Sequence, residues 1–366
     1  NKDVNNDILI SYGYGDGGGG PTRGMLENSM RLEKGVAGLP TVRQCFARTY
    51  FEELDKRVSG NKRLPVWEGE LYFEYHRGTS MARNKRANRK AELHMMDLEL
   101  LSVLAADRLP YPAEELDGMW KTILLNQFHD ILPGSSIHEV YEVTKAEYAA
   151  LEEKIAHMEK ERLALLAPAA EKLTVFNTKG FDSDETVCLG DMQAAALVDE
   201  TGARIPVQQT AQGAVAHLRG LPSKGWRTYG LSAEPAEVAT PFAQAGNRLE
   251  TPYYVVELDE SGLFSRLYDK TYQREVLKPG EKGNLLRMYE DKPIYYTEKY
   301  WDVTDVQSLR WTEMGPVRAT LEVERKVSNS LIRQKIHFYA HSRRIDFESY
   351  VDWHDHQHLL KVHFPT

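Results

Sequence analysis

The chain has 366 residues, 27% charged and 42% hydrophobic, with a formal net charge of −8. So acidic a balance speaks against nucleic acid or an anionic membrane surface as partner, and no apolar run reaches the roughly 18 residues that a membrane span needs. Cys45 and Cys188 are the only cysteines, which is no disulfide framework and points to a reducing, cytoplasmic compartment. The length allows two or three domains with their own cores. The polar start "NKDVNNDILI" carries neither an initiator Met nor a signal peptide. It reads as a cut from a longer chain, because residues 8–12 look like a strand entered in mid-fold.

Residues 1–75 alternate in the α/β manner. "DILISYGY" reads as a strand, "TVRQCF" as a second short one. Helices are expected through "RGMLENSMRLEKG", with Pro21 in its first turn, and through "ARTYFEELDKRVSG", which places Tyr50, Phe51 and Leu54 on one face. Between strand and first helix lies "YGYGDGGGGPT". Gly13-x-Gly15-x-x-Gly18 matches the dinucleotide fingerprint, but Asp16 would put a negative charge inside an anion site, and no Gly-Lys-Ser/Thr follows. The loop is read either as a turn that needs positive φ or as a ligand loop. In the second case glycines let the backbone come close to a substrate, and Asp16 accepts hydrogen bonds from its hydroxyls.

The pattern then turns helical. "NRKAELHMMDLELLSVLAADRL" repeats apolar residues at Leu93, Met96, Leu100, Leu101 and Leu104, and "YPAEELDGMWKTILLNQFHDIL" at Leu116, Met119, Trp120, Ile123 and Leu124. After Pro133-Gly134, Ser136-x-x-Glu139 has the form of a capping box. It opens a helix carrying Tyr141, Tyr148, Leu151, Ile155 and Met158. Three long amphipathic helices with short connections spell a three-helix bundle over 76–168. The basic run from Arg83 to Lys90 reads as a solvated helix face.

From about 172 the chain is β-rich, with "LTVFN", "ETVCL", "RIPVQQT", "AVAHL", "RTYGL", "YYVVEL", "RATLEVERKV", "IRQKIHFYA" and "RIDFESYVDW" separated by turn residues. A Pro/Ala-rich stretch, 232–250, separates a small β-domain (169–240) from a β-sandwich (241–366). The fold class is therefore multidomain α/β, then α, then β.

Three further stretches carry candidate chemistry. In "LLNQFHDILPGSS", His129 and Asp130 sit at a helix end before a Pro-Gly break, a metal ligand with a polar partner or a structural pair; one histidine cannot hold zinc alone. In "WEGELYFEYHRGT", Glu68, Glu70 and Glu74 stand beside aromatic residues, where burial would raise a carboxyl pKa toward that of a general acid. In "HDHQH", His354, His356 and His358 would share a face of a strand, although a polar hairpin end is the simpler reading. The 19 tyrosines and 6 tryptophans suit stacking on sugar rings but serve packing equally well.

Taken together, "YGYGDGGGGPT", "GELYFEYHRGT…ARNKRANR" and "NQFHDILPGSSI" resemble the glycoside hydrolase family 38 α-mannosidases, in the right order and spacing. "VFNTKGF", "GWRTYGL", "LDESGLFSRLYDKTYQREVL", "GNLLRMYEDKP" and "DWHDHQHLLKVHFP" extend the likeness into the β-rich part. The resemblance implies a hydrolase of bacterial or cytosolic type that cleaves terminal α-linked mannose from oligosaccharides with retention, using a divalent metal, usually zinc. By this resemblance residues 1–75 are the end of a β/α catalytic domain, His129 is a metal ligand, Asp130 a sugar-binding aspartate, and Asp16 an acidic residue against the substrate. Aligning Gly78 and Arg83 puts the general acid near Glu70, with Glu74 and Asp16 as rivals. The family's other metal ligands and its nucleophile have no counterpart here, so the resemblance implies a chain inactive alone, with His129 metal-free. No nucleic acid or membrane partner is expected, and a homo-oligomer is compatible. The competing class is a non-catalytic carbohydrate-binding β-sandwich with a helical appendage.

Overall fold

The computed structural model describes residues 4–15, 19–64, 66, 68, 80–167, 171–291 and 299–366. The chain divides into two compact units, Asn1–Leu71 and Tyr72–Thr366.

In the first unit, α1 (Arg23–Glu33) starts at Thr22, whose hydroxyl accepts from the Met25 amide at 3.3 Å, a normal N-cap. The second helix, α2, spans Ala47–Val58. The two expected strands are absent among the described residues: 8–12 and 41–46 have no ladder partner. β-propensity favours a pleated, half-buried surface, but a strand exists only where its N–H and C=O groups meet a neighbour. Ile8 and Ile10 accordingly stay largely exposed, and Val58 is the one buried apolar residue described in this unit. Polar ties hold it instead. Tyr50 donates to the Asp7 carbonyl, Arg57 pairs with the Asp7 carboxylate, and Glu33 accepts from the Gln44 amide at 2.8 Å.

The second unit begins with helices α3 (Ala82–Leu104), α4 (Ala113–Asn126) and α5 (His138–Leu166). Gln127 meets Asn88, and Trp120 meets Glu99, so α4 runs against α3; Tyr148 meets Asn88 and Arg162 meets Ser102, so α5 runs with α3. Helical spacing brings Met95 and Leu98, Leu116, Met119 and Ile123, and Tyr148, Leu151, Ile155 and Met158 into one apolar core. The expected capping box does not form. The residue flanking α5 is Ile137, without a side-chain cap. Ser136 is engaged elsewhere: its hydroxyl donates to the Asp130 carbonyl at 2.9 Å and its amide to the Tyr141 hydroxyl at 2.9 Å.

Next comes a six-stranded antiparallel sheet, β1 (Lys172–Asn177), β2 (Ser183–Cys188), β3 (Ala196–Val198), β4 (Arg204–Thr210), β5 (Gly213–Leu221) and β6 (Gly225–Ser232), in the order β1-β6-β3-β4-β5-β2. Its core gathers Leu197, Ala216, Leu218, Leu221 and Tyr229. Beyond 243 a five-stranded sheet of β7 (Ala243–Ala245), β8 (Arg248–Glu250), β9 (Tyr254–Leu258), β10 (Phe264–Asp269) and β11 (Arg274–Glu275) shares a core with a meander of β14 (Asp305–Met314), β15 (Arg318–Val327), β16 (Ser330–Tyr339) and β17 (Ile345–Asp352). Leu249, Val256 and Phe264 meet Leu321, Val323, Ile336 and Phe338 there. A smaller sheet joins β13 (Tyr300–Asp302), β12 (Leu285–Glu290) and β18 (His358–His363). His354 and His356 lie in the connection before β18, so the three histidines of "HDHQH" do not share a strand face.

Two polar joints link the small β-sheet to the larger β region. Gln208 on β4 is buried; its carbonyl oxygen accepts from the amides of Val317 (3.0 Å) and Arg318 (2.9 Å), and its amide donates to the Arg318 carbonyl at 3.0 Å. A Cβ on Gly315 would overlap the Gln208 side chain. The second joint stacks His217 of β5 on His341, ring centroids 4.6 Å apart, with Arg219 Nη2 3.2 Å from His341 Nδ1. Within the larger β region Arg325 is fully buried, pairs with no carboxylate among the described residues, and donates to the Gln334 side chain and to the carbonyls of Ser261 and Gly262. Burial pulls its pKa down to about 10.

Candidate active site

The glycine loop closes on itself. The Tyr14 amide donates to the Gly20 carbonyl at 3.2 Å. Gly13 has φ +126°, and a Cβ there would lie 2.9 Å from the Gly20 and Pro21 backbone, while one on Gly19 would strike the Tyr14 carbonyl. Two of the glycines are thus required by the loop's own closure, independently of any ligand. Asp16 lies outside the described residues, as do Glu70 and Glu74; Glu68 is described and exposed.

His129 and Asp130 lie on the turn after α4. The hydrogen-bonded helix ends at Gln127, and the following residues curl back: Ile131 and Leu132 amides donate to the Phe128 carbonyl, and the Ser135 amide to the Asp130 carbonyl. His129 Nε2 stands 3.4 Å from Asp130 Oδ2, with the imidazole exposed and its face against Phe128, ring centroids 4.2 Å apart. Asp130 is anchored: one carboxylate oxygen accepts from Ser135 Oγ at 2.8 Å, and its carbonyl accepts from Ser136 Oγ and, at 3.1 Å, from Tyr141 Oη. Gly134 takes φ +98°, and a Cβ there would come within 2.7 Å of Met81 Cγ, so the turn rests directly on the start of α3. Lys85 braces the same contact by donating to the Leu132 carbonyl at 3.0 Å and to the Ser80 carbonyl; burial lowers its pKa.

Below the turn a polar layer crosses the bundle. Gln127 donates to Asn88 (3.1 Å) and Glu92 (2.7 Å), Tyr148 donates to Asn88, and buried Asn126 donates to Glu147 at 2.7 Å. Burial, with Glu92 and Glu147 nearby, pushes the Tyr148 phenol up to about 12, so it stays a hydrogen-bond donor at neutral pH. This layer fixes the end of α4 and therefore where the imidazole points. Sequence reading did not single out Ser135, Asn88 or Gln127, and took Tyr141 only as a position on a bundle helix. The available signal was a polar residue at a helical core position, as Asn88 and Asn126 are.

The donors present do not by themselves complete a zinc site. His129 offers one nitrogen and Asp130 one oxygen beside it, whereas zinc takes three or four ligands. Among the described residues no group of three or more His, Cys, Asp or Glu could hold a metal ion. This pair is at most part of a ligand set. No helix among the described residues is long and apolar enough to cross a membrane.

Comparison with known proteins places the three parts of the chain in one glycoside hydrolase family. The Glycosyl hydrolases family 38 N-terminal domain matches residues 1–70, the Alpha mannosidase middle domain 74–166, and the Glycosyl hydrolases family 38 C-terminal domain 249–366. The chain belongs to the glycoside hydrolase family 38 α-mannosidases. It is similar to human alpha-mannosidase 2C1, 30% identical over 392 residues that cover 99% of this chain and 35% of that protein. It is also similar to alpha-mannosidase G of Dictyostelium discoideum, 27% identical over 425 residues covering 99% and 38%. The chain therefore spans little more than a third of the curated relatives it matches. The crystal structure of an alpha-mannosidase from Enterococcus faecalis V583 shares the fold, with a TM-score of 0.65 at 16% identity over 94% of this chain and 50% of that one.

Proposed function

We propose that the chain is the middle and C-terminal portion of a retaining, metal-dependent α-mannosidase acting on terminal α-linked mannose of oligosaccharides. The observation that carries the reading is the His129–Asp130 turn. Both side chains are presented at the surface, yet their backbone is held by Ser135, Ser136, Tyr141 and the polar layer beneath. Such preorganisation without burial suits groups that meet a substrate supplied from outside the bundle. Asp130, with one carboxylate oxygen anchored by Ser135, keeps lone pairs to accept from sugar hydroxyls, and His129 contributes one nitrogen to a divalent metal, zinc by family likeness. Residues 1–75 close the β/α catalytic domain, and the general acid is Glu70, with Glu74 and Asp16 as rivals. A retaining mechanism also needs a carboxylate nucleophile about 5–5.5 Å from that acid; the nucleophile and the remaining metal ligands belong to the longer protein.

The test uses both forms. In the full-length enzyme, His129→Ala and Asp130→Asn should each lower kcat/KM on 4-nitrophenyl α-mannoside at least a hundredfold. Glu70→Gln, Glu74→Gln and Asp16→Asn identify the acid, since only the variant lacking it should be rescued by azide. The 366-residue chain alone, supplied with zinc, should show no turnover and no bound zinc. Activity in that chain, or an unimpaired His129→Ala enzyme, would overturn the reading.

A second reading is favoured by one feature of the small sheet. Trp226, 53% exposed, lies across from Phe176 at 5.9 Å between centroids, beside the paired hydroxyls of Thr174 and Thr228. Aromatic faces flanked by hydroxyls suit a carbohydrate-binding module. If that were the function, Trp226→Ala would abolish retention in mannan-containing native gels and His129→Ala would leave it intact.

A further inference from the structure

A groove of about 290 Å³ runs between α3 and α5, starting at the end of α3 on which the His129 turn rests. Its walls are small and apolar, with Ala87 and Ala91 on one side and Ala149, Ile155 and Ala156 on the other. From Asn84 to His94 it follows ten residues of helix, about 15 Å, so it is long and narrow. At one end lies Asn84, only 2% exposed, whose side-chain amide nitrogen has no hydrogen-bond partner among the described residues. A buried donor without an acceptor is rare in folded proteins and calls for an explanation.

The two ends of the groove differ in charge. Arg83 and Lys145 line it near Asn84, and Lys90 lines it further along α3. The first turn of α3 carries no acidic residue and no side-chain cap, so its macrodipole adds to the positive potential there. At the far end stand Glu152 and Glu159, the second held on one oxygen by His94 Nδ1 at 3.3 Å. Burial raises the Glu159 pKa, as it does for a carboxylate short of compensating charge.

We propose that this groove binds a slender zwitterion of the linear ω-amino-acid type, its carboxylate accepting from Asn84 between Arg83 and Lys145 and its ammonium facing Glu152 and Glu159. The methylene stem fills the alanine-walled channel, and the carboxylate supplies the acceptor that Asn84 lacks.

Calorimetric titration of the 366-residue chain with 8-aminooctanoate tests this, with octanoate and octylamine as probes lacking one head each. One saturable site is expected for the zwitterion, with each single-headed probe at least tenfold weaker. Asn84→Asp, nearly isosteric, places a carboxylate against the ligand's own and should weaken binding at least tenfold. Ala149→Leu, at an exposed helix position that folding tolerates, should block the stem to the same degree; circular dichroism confirms that both variants are folded. Absence of binding, equal affinity for either single-headed probe, or binding unchanged in both variants would overturn the proposal. So would a wild-type dimer that Ala149→Leu makes monomeric, because the groove would then be covered by a second copy.

Discussion

Gln208 offers the sharpest stability test in the molecule. Gln208→Ala would leave two buried amides (Val317 and Arg318) and the Arg318 carbonyl without their partner at a joint where Val317 is 1% and Arg318 9% exposed. Each orphaned group costs about 1–3 kcal/mol, and water entering the vacated space recovers part of it, so a loss of about 3 kcal/mol is expected. For a β region of this size that corresponds to a fall of roughly 6–12 °C in its calorimetric transition. Gly315→Ala attacks the same joint sterically, since its Cβ would overlap the Gln208 side chain. The two changes must therefore couple: in Gln208→Ala/Gly315→Ala the clash has lost its partner, and the double variant should lose at least 1 kcal/mol less than the sum of the singles. Differential scanning calorimetry of all four proteins reads this directly. A Gln208→Ala loss below about 1 kcal/mol, or additive singles, would show that the reasoning about this joint is wrong.

The stacked pair at the other joint makes stability depend on pH. Burial, then His341 and Arg219, hold the His217 pKa down to about 4, with Asp184 and Glu185 acting weakly in the opposite sense; His341 is lowered by burial and Arg219. The unfolded chain therefore takes up protons below the ordinary value of 6.5 while the folded chain resists, so stability falls from pH 6.5 toward pH 4 and is retained above. Urea unfolding should show about 2 kcal/mol less stability from His217 at pH 5 than at pH 7, a difference that His217→Phe removes. Gly134→Ala combines a positive φ with contact against Met81. It should destabilise the bundle by about 2 kcal/mol and broaden the His129 imidazole resonances, whereas Gly118→Ala, inside α4 with open space around its Cβ, should stabilise the helix by about 0.5–1 kcal/mol and leave the resonances unchanged.

Helical periodicity located α3, α4 and α5, because each helix satisfies its own backbone, but it misplaced part of the stripe: Leu93, Met96 and Leu124 are exposed, and α3 buries Ala91, Met95 and Leu98 along with the expected Leu101. Alternation likewise located the strands β15 and β16. The expected strands at 8–12 and 41–46 failed for the complementary reason: a strand needs a partner that its own residues do not encode. Ser136 likewise has the sequence of a cap, yet its hydroxyl is spent on Asp130, a competition that spacing cannot reveal. His129 and Asp130 were legible through their motif, as neighbours before a Pro-Gly break. Their support from Tyr141, Asn88 and Gln127 was not, because it depends on how three helices are rotated about their axes.

By its own pattern the sequence determined which segments are helical, where the chain turns β-rich, and which two adjacent residues head the bundle, since all of these follow from interactions a few positions apart. Tertiary structure alone decided that Gln208 reaches the turn at 315–318, that His217 stacks on His341, and that Asn84 is buried beside a groove without an acceptor among the described residues. Those contacts join residues up to more than a hundred positions apart, and their energies lie in desolvation and pairing that exist only once separate elements have packed.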